Sequence, residues 1–222
     1  MKVVVTAATT GEWMPALLNI PALYTSDSHR FKVLFHQSGV GMLSSAVSLT
    51  SLMIDDKPDF VIQTGIAGTF DTKLNLGKVV VIKDEMLGDM GVMEDNKWKD
   101  IFDLKLEKSS YPPFEKRKLS NPFLETFNLL KLPEVNAITI NQITTGEERM
   151  QQLIKKYDPT IESMEGAALH YVCREFNIPF IQLRAISNYV GERDKSNWKI
   201  QEAIENLNQT ILRFIDKLYK VM

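Results

Sequence analysis

A single cysteine, Cys173, stands in 222 residues. No disulfide can close within the chain, so the fold depends on its core, and a reducing compartment is expected. Charge of either sign is not in excess: 26 Lys and Arg against 28 Asp and Glu leave a formal net charge of −2. That balance provides no bulk attraction to nucleic acid or to an anionic membrane, and neither is expected as a partner. No apolar run approaches the roughly 18 residues of a membrane span. The opening Met1-Lys2-Val3-Val4-Val5-Thr6 has one charge and a short apolar run. It suits a first strand better than a secretion signal, and a cytoplasmic protein is expected. The three histidines, His29, His36 and His170, have neither metal-site spacing nor cysteine companions, so no metal is expected. There is no G-x-S-x-G elbow and no Ser-His-Asp order.

Hydrophobic residues make up 44% of the chain, enough to fill the core of one large α/β domain over 1–222. Apolar runs of strand length fall at 3–7, 31–35, 60–63, 79–82, 137–140 and 180–186. Several are apolar at successive positions, as in strands covered on both faces. Helices are expected at 42–54, 147–156, 165–176 and 198–220. In the last, Ile204, Leu207, Ile211, Ile215 and Leu218 recur at spacings of three and four and share a face. Strand–helix alternation predicts a layered α/β fold. The charged segment 84–122, with Pro112-Pro113, is a long excursion.

Two glycine pairs follow predicted strands. Ser38-Gly39-Val40-Gly41 precedes a helix, and Gly65-Ile66-Ala67-Gly68 follows the strand at 60–63. Each is either an ordinary turn or a place where backbone N–H groups approach a ligand at the edge of a sheet. The spacing is not the dinucleotide fingerprint. Glu165 stands at a helix start, where the dipole favours a carboxylate, and Gly166-Ala167-Ala168 leave room above it. A carboxylate there can accept hydrogen bonds from vicinal ribose hydroxyls. Met164 can back a sugar or fill core. Arg184 lies near the end of an apolar strand, and a buried arginine needs a carboxylate. Glu12, directly after the first strand, is the natural partner if the strand ends converge, although taken alone it reads first as a helix-start acid.

Taken in order, a strand leading to Glu12, Ser38-Gly39-Val40-Gly41, Thr64-Gly65-Ile66-Ala67-Gly68, Ser163-Met164-Glu165-Gly166-Ala167-Ala168 and Arg184-Ala185-Ile186-Ser187-Asn188 resemble the purine nucleoside phosphorylase/hydrolase superfamily over essentially the whole chain. Within it, 162–168, 184–190 and Arg193-Asp194-Lys195-Ser196 are most similar to the futalosine hydrolases, while methylthioadenosine/S-adenosylhomocysteine nucleosidases share the framework. The resemblance implies a three-layer αβα sandwich with a central mixed, partly barrel-like sheet. It implies a homo-oligomer, a dimer by analogy with the hydrolase branch, a small nucleoside as substrate, and no cofactor.

The resemblance also implies cleavage of an N-ribosidic bond. Glu12 is then the general base on water, and Arg184 and Ser187 position that water. Ile66, Ala67, Gly68 and Ser163 belong to the substrate site. Met164 packs on the sugar and Glu165 binds the ribose 2′ and 3′ hydroxyls. Asn188 faces N7 of the purine. The adenine-specific relatives have aspartate at this last position, whereas an amide can donate to O6 of a 6-oxopurine and accept from a protonated N7. Asn188 therefore suits hypoxanthine, the base of futalosine. Gln63 stands where phosphorylases often place arginine and Ile66 where they often place serine, which favours water over phosphate as nucleophile. Arg149 and Arg193 are both candidates for the aromatic carboxylate of such a substrate.

Overall fold

Strand β1 (Lys2–Ala7) is buried from Val3 onward and pairs in parallel with β2 (Lys32–Gln37) on one side and β3 (Phe60–Thr69) on the other. The fold comes from a computed structural model that describes residues 1–26 and 30–221; His29 lies outside the described residues. β3 pairs in parallel with β10 (Phe180–Tyr189), which pairs antiparallel with β4 (Val79–Leu87). β4 runs parallel to β8 (Glu134–Thr139) and β8 parallel to β9 (Ile161–Ser163). β9 then returns antiparallel to β3. Five strands thus close a ring, and β1 and β2 extend it as an open wing. Ala67, Val80, Ile82, Ala137, Ile161 and Ile186 pack together, with every strand of the ring contributing. This is the partly barrel-like sheet expected.

Alternation along β1 explains the three layers, since successive side chains of a strand point to opposite faces. Val3 and Val5 face α1 (Met14–Asn19) and α6 (Ile200–Val221), whose Leu207, Ile211, Ile215 and Leu218 are buried. Val4 faces α2 (Met42–Asp55) and α5 (Gly166–Glu175) through Leu49, Leu52 and Leu169. A short α3 (Leu124–Phe127) adds Leu124 to the first layer. α4 (Glu147–Tyr157) covers Met86 and Ile138 with Leu153 and Tyr157. Among the described residues no helix is long and apolar enough to cross a membrane.

Two expectations change. Gly65-Ile66-Ala67-Gly68 is not a turn: β3 continues through it to Thr69, because its backbone keeps pairing with β10 as far as Tyr189. The glycines serve close packing instead. A Cβ on Gly65 would collide with the guanidinium of Arg184, and one on Gly68 would lie 3.2 Å from the Asn188 amide nitrogen. The excursion begins only after Leu87, where β4 ends. It then forms a hairpin of β5 (Gly91–Glu94) and β6 (Lys97–Asp100) and returns as β7 (Leu119–Ser120) against β4. Ser38-Gly39-Val40-Gly41 is a turn, with Gly39 and Gly41 at φ +82° and +88°.

A polar layer lies between β4, β10 and the start of α5. Glu85, wholly buried, accepts from Gln182 Nε2 at 2.8 Å and from Thr139 Oγ1 at 2.9 Å. Thr139 Oγ1 in turn accepts from Ala167 N at 2.7 Å. Gly166 is required here, since a Cβ would collide with the Glu85 carboxyl. His170 is structural, as its Nδ1 bonds Leu119 O at 2.6 Å, and burial takes the ring down to about 4, so it is neutral. Burial pushes the Glu85 carboxyl from 4.5 up to about 7. The folded chain therefore holds a proton there that the unfolded chain releases above about 4.5. The stability this contributes is complete below 4.5 and is lost as pH rises through about 7. Glu85→Gln keeps the shape and removes the titration. Thermal unfolding should show the variant level with the parent at pH 5 and more stable at pH 8; the same difference at both pH values would contradict the assignment.

Candidate active site

β1, β2, β3 and β10 run in one direction, so their C-terminal ends share an edge, where open α/β sheets place ligand sites. Glu12 arrives on the 3-10 turn Thr10–Glu12 after β1. Its Oε2 accepts from Thr9 N at 3.0 Å and Thr9 Oγ1 at 3.1 Å, and its Oε1 accepts from Ile66 N at 3.3 Å. Buried Asn208 of α6 fixes the same turn, donating to Glu12 O at 3.0 Å and accepting from Ala16 N at 2.8 Å.

Glu165 is the N-cap residue of α5 rather than its first helical residue. Its Oε1 accepts from Gly41 N at 3.0 Å, which ties the glycine turn after β2 to the site. Its Oε2 lies 3.5 Å from Arg184 Nη1. Arg184, 2% exposed, also donates from Nη2 to Gln63 Oε1 at 3.0 Å and from Nη1 to Ile66 O at 3.5 Å. The ion pair of Arg184 is therefore with Glu165 and not, as expected, with Glu12. Thr9 and Ile66 already hold the Glu12 carboxylate, whereas Glu165 turns its free oxygen towards the arginine. Glu12 does come close: a Cβ on Gly65 would lie 3.0 Å from its Oε1.

A register shift in β10 between Ile186 and Asn188 re-aims the end of the strand. Ser187 Oγ donates to Asn188 Oδ1 at 2.8 Å, and Asn188 Nδ2 donates to Tyr189 O at 3.0 Å. The Ser187 hydroxyl also lies 3.3 Å from Ala67 O, so its one hydrogen is directed to protein oxygens, while its lone pairs remain available to accept. The amide is held at both ends, yet one N–H and one lone pair stay open.

These residues surround a cavity of about 420 Å³. Glu12, Ile66, Ala67, Gly68, Ser163, Met164, Glu165, Ser187 and Asn188 line it, together with Val40, Ile140, Ile143, Glu162, Trp198, Ile200 and Ile204. Arg184 is not on the wall. Its guanidinium lies against Gly65, behind the cavity wall that was expected to include it. Arg149 is also off the wall: its Nη2 donates to Gly88 O at 2.9 Å and its guanidinium lies 4.2 Å over the Trp98 ring. Arg193 is exposed, with its guanidinium 5.7 Å from the ring of wall residue Trp198. Among the described residues no cluster of three or more His, Cys, Asp or Glu is placed to hold a metal ion. Glu85, Glu162, Gln182 and Asn208 are given no role by the sequence reading. Gln182 leaves a signal there, as a polar residue inside the apolar run 180–186.

The sequence model of the phosphorylase superfamily matches residues 22–219. A 5′-methylthioadenosine/S-adenosylhomocysteine nucleosidase of Bacillus velezensis is 29% identical over 208 residues, covering 88% of this chain and 86% of the relative. The protein of the same name from Bacillus subtilis is 26% identical over 206 residues, covering 88% and 85%. Among solved structures, such a nucleosidase from Colwellia psychrerythraea in complex with adenine aligns with a TM-score of 0.80 at 21% identity, covering 98% of this chain and 96% of that one. Futalosine hydrolase of Helicobacter pylori aligns with a TM-score of 0.77 at 19% identity, covering 100% and 98%. The matched segment spans nearly the whole chain, and the chain belongs to the phosphorylase superfamily.

Proposed function

We propose that this chain is a nucleosidase that hydrolyses the N-ribosidic bond of a 6-oxopurine nucleoside. The substrate that fits is futalosine, giving hypoxanthine and dehypoxanthine futalosine, a step in menaquinone biosynthesis. One observation carries this reading: two carboxylates, Glu12 and Glu165, share a cavity whose wall also presents the half-open amide of Asn188.

Water attacks C1′ as the C1′–N9 bond breaks, and the bonding electrons pass to the purine. Glu12 takes the water's proton. Glu165 keeps acceptor sites for the ribose 2′ and 3′ hydroxyls, and its charge favours the developing positive charge on the sugar. Met164 packs on the sugar. N7 of the departing base takes a proton from solvent, and Asn188 holds that proton with its open lone pair while its open N–H bonds O6; the proton on Glu12 returns to solvent. The guanidinium of Arg184 is committed to Glu165 and Gln63, which leaves it unavailable to phosphate and supports hydrolysis. A second reading, an adenine nucleosidase, draws support from the relatives named as methylthioadenosine/S-adenosylhomocysteine nucleosidases.

Incubation with futalosine should release hypoxanthine at the same rate with and without phosphate. Dependence on phosphate would establish a phosphorylase, and faster release of adenine from methylthioadenosine would favour the second reading. Glu12→Gln should lower kcat by roughly 10²–10⁴-fold, the usual contribution of positioned proton transfer, with ligand affinity retained; full turnover would remove Glu12 as the base. Asn188→Asp should move the ratio of hypoxanthine to adenine release towards adenine, and an unchanged ratio would count against the role given to the amide.

A further inference from the structure

Glu162 has no part in the chemistry above, yet it lines the same cavity and is 7% exposed. Its Oε2 is buried without a hydrogen-bond partner. An unpaired buried polar atom costs stability, and one kept in a cavity wall marks a place for a ligand atom. The hydroxyl and N–H of Thr144 act on the carboxyl, and Asp89 and Arg149 are the charges around it. Arg149 is engaged with Gly88 and Trp98. Burial pushes Glu162 up to about 7, so it is mostly ionised at pH 8.

Its position follows from strand register. Glu162 of β9 and Asn188 of β10 both pair with Gly68 of β3, from opposite sides. Residues in register across a sheet share a face, so the acid and the amide stand two strands apart on one surface. Their Cα atoms are then roughly 10 Å apart. Gly68 stands between them, and the Asn188 amide lies over it: a Cβ there would be 3.2 Å from the amide nitrogen. A flat bicyclic base in the cavity can present one edge to both groups.

We propose that Glu162 accepts the N1–H of a 6-oxopurine whose O6 and N7 face Asn188. The inference rests on the reading of this cavity as a purine nucleosidase site. Together the two residues read three successive positions of the base, N1, O6 and N7. A 6-aminopurine carries a lone pair at N1, which meets the carboxylate without a hydrogen between them. A site built to bond an N–H rejects an analogue that lacks it.

The test is calorimetric titration of the full chain at pH 8 with hypoxanthine and with 1-methylhypoxanthine, which has no N1–H. The parent should bind hypoxanthine at least about tenfold more tightly, the scale of one buried hydrogen bond. Glu162→Gln, whose amide oxygen still accepts, should keep that preference. Glu162→Met, similar in bulk and without an acceptor, should bring the two ligands to within about threefold. Equal binding of both ligands by the parent would overturn the proposal without recourse to any variant. Retention of the preference by Glu162→Met would overturn it too, by assigning the discrimination to shape. If the parent binds no purine and releases none from a nucleoside, the nucleosidase reading falls, and the role of Glu162 falls with it.

Discussion

The ion pair between Arg184 and Glu165 is the constraint on which the site depends. Both side chains are almost wholly withdrawn from water, a costly arrangement unless every remaining polar atom nearby is accommodated. Gln63, the Ile66 carbonyl and the Gly41 N–H provide most of that accommodation, while the Arg184 Nε is buried without a hydrogen-bond partner. Their chain positions explain two features of the sequence. Gly65 has no side chain because the guanidinium occupies that space, and Gly41 sits at positive φ so that its N–H can reach Glu165. The start of α5 adds the favourable end of a helix dipole to the same carboxylate. Glu85 lies under Gly166 at the start of the same helix, and burial raises its carboxyl to about 7 against the lowering pull of Gln182 and Arg184.

Around that fixed carboxylate the other groups are held by separate means. Glu12 is held by Thr9 and Ile66 and anchored from α6 by Asn208, so the two carboxylates do not compete for the same donors. Asn188 is oriented by Ser187 and by the Tyr189 carbonyl. Closure of five strands into a ring brings β9, and with it Glu162 and Ser163, round to the edge where β3 and β10 end. The three parts of a nucleoside thus meet three kinds of surface. In the proposed reading Glu165 and Met164 serve the sugar and Asn188 and Glu162 the base, while Trp198, Ile200 and Ile204 form an apolar wall of the same cavity.

Much of this was legible in the chain. Runs such as 3–7 and 180–186 are apolar at successive positions because both faces of those strands are covered, and α6 shows its face through Leu207, Ile211, Ile215 and Leu218. Glu12, Glu165 and Asn188 stand out as polar residues at strand ends or a helix start, and all three meet in one cavity. Long-range facts were hidden. Glycines at 65 and 68 resemble a turn locally, and only pairing with a strand more than a hundred residues away keeps β3 extended. The partner of Arg184 depends on which carboxylate has an oxygen to spare, a property decided by Thr9 and Ile66 rather than by proximity in sequence. Glu162 lies beside a recognisable motif, but the unpartnered state of its Oε2 appears only once β9 is set against β3.

The central claim is that water, activated at Glu12 and directed to a sugar held by Glu165, breaks the bond between ribose and base. A short reaction with futalosine in H₂¹⁸O, followed by mass spectrometry of both products, tests it most directly. The account predicts one ¹⁸O on the sugar-bearing product and none on hypoxanthine, with or without phosphate in the buffer. A sugar 1-phosphate free of label, or an intact substrate after prolonged incubation, would contradict it.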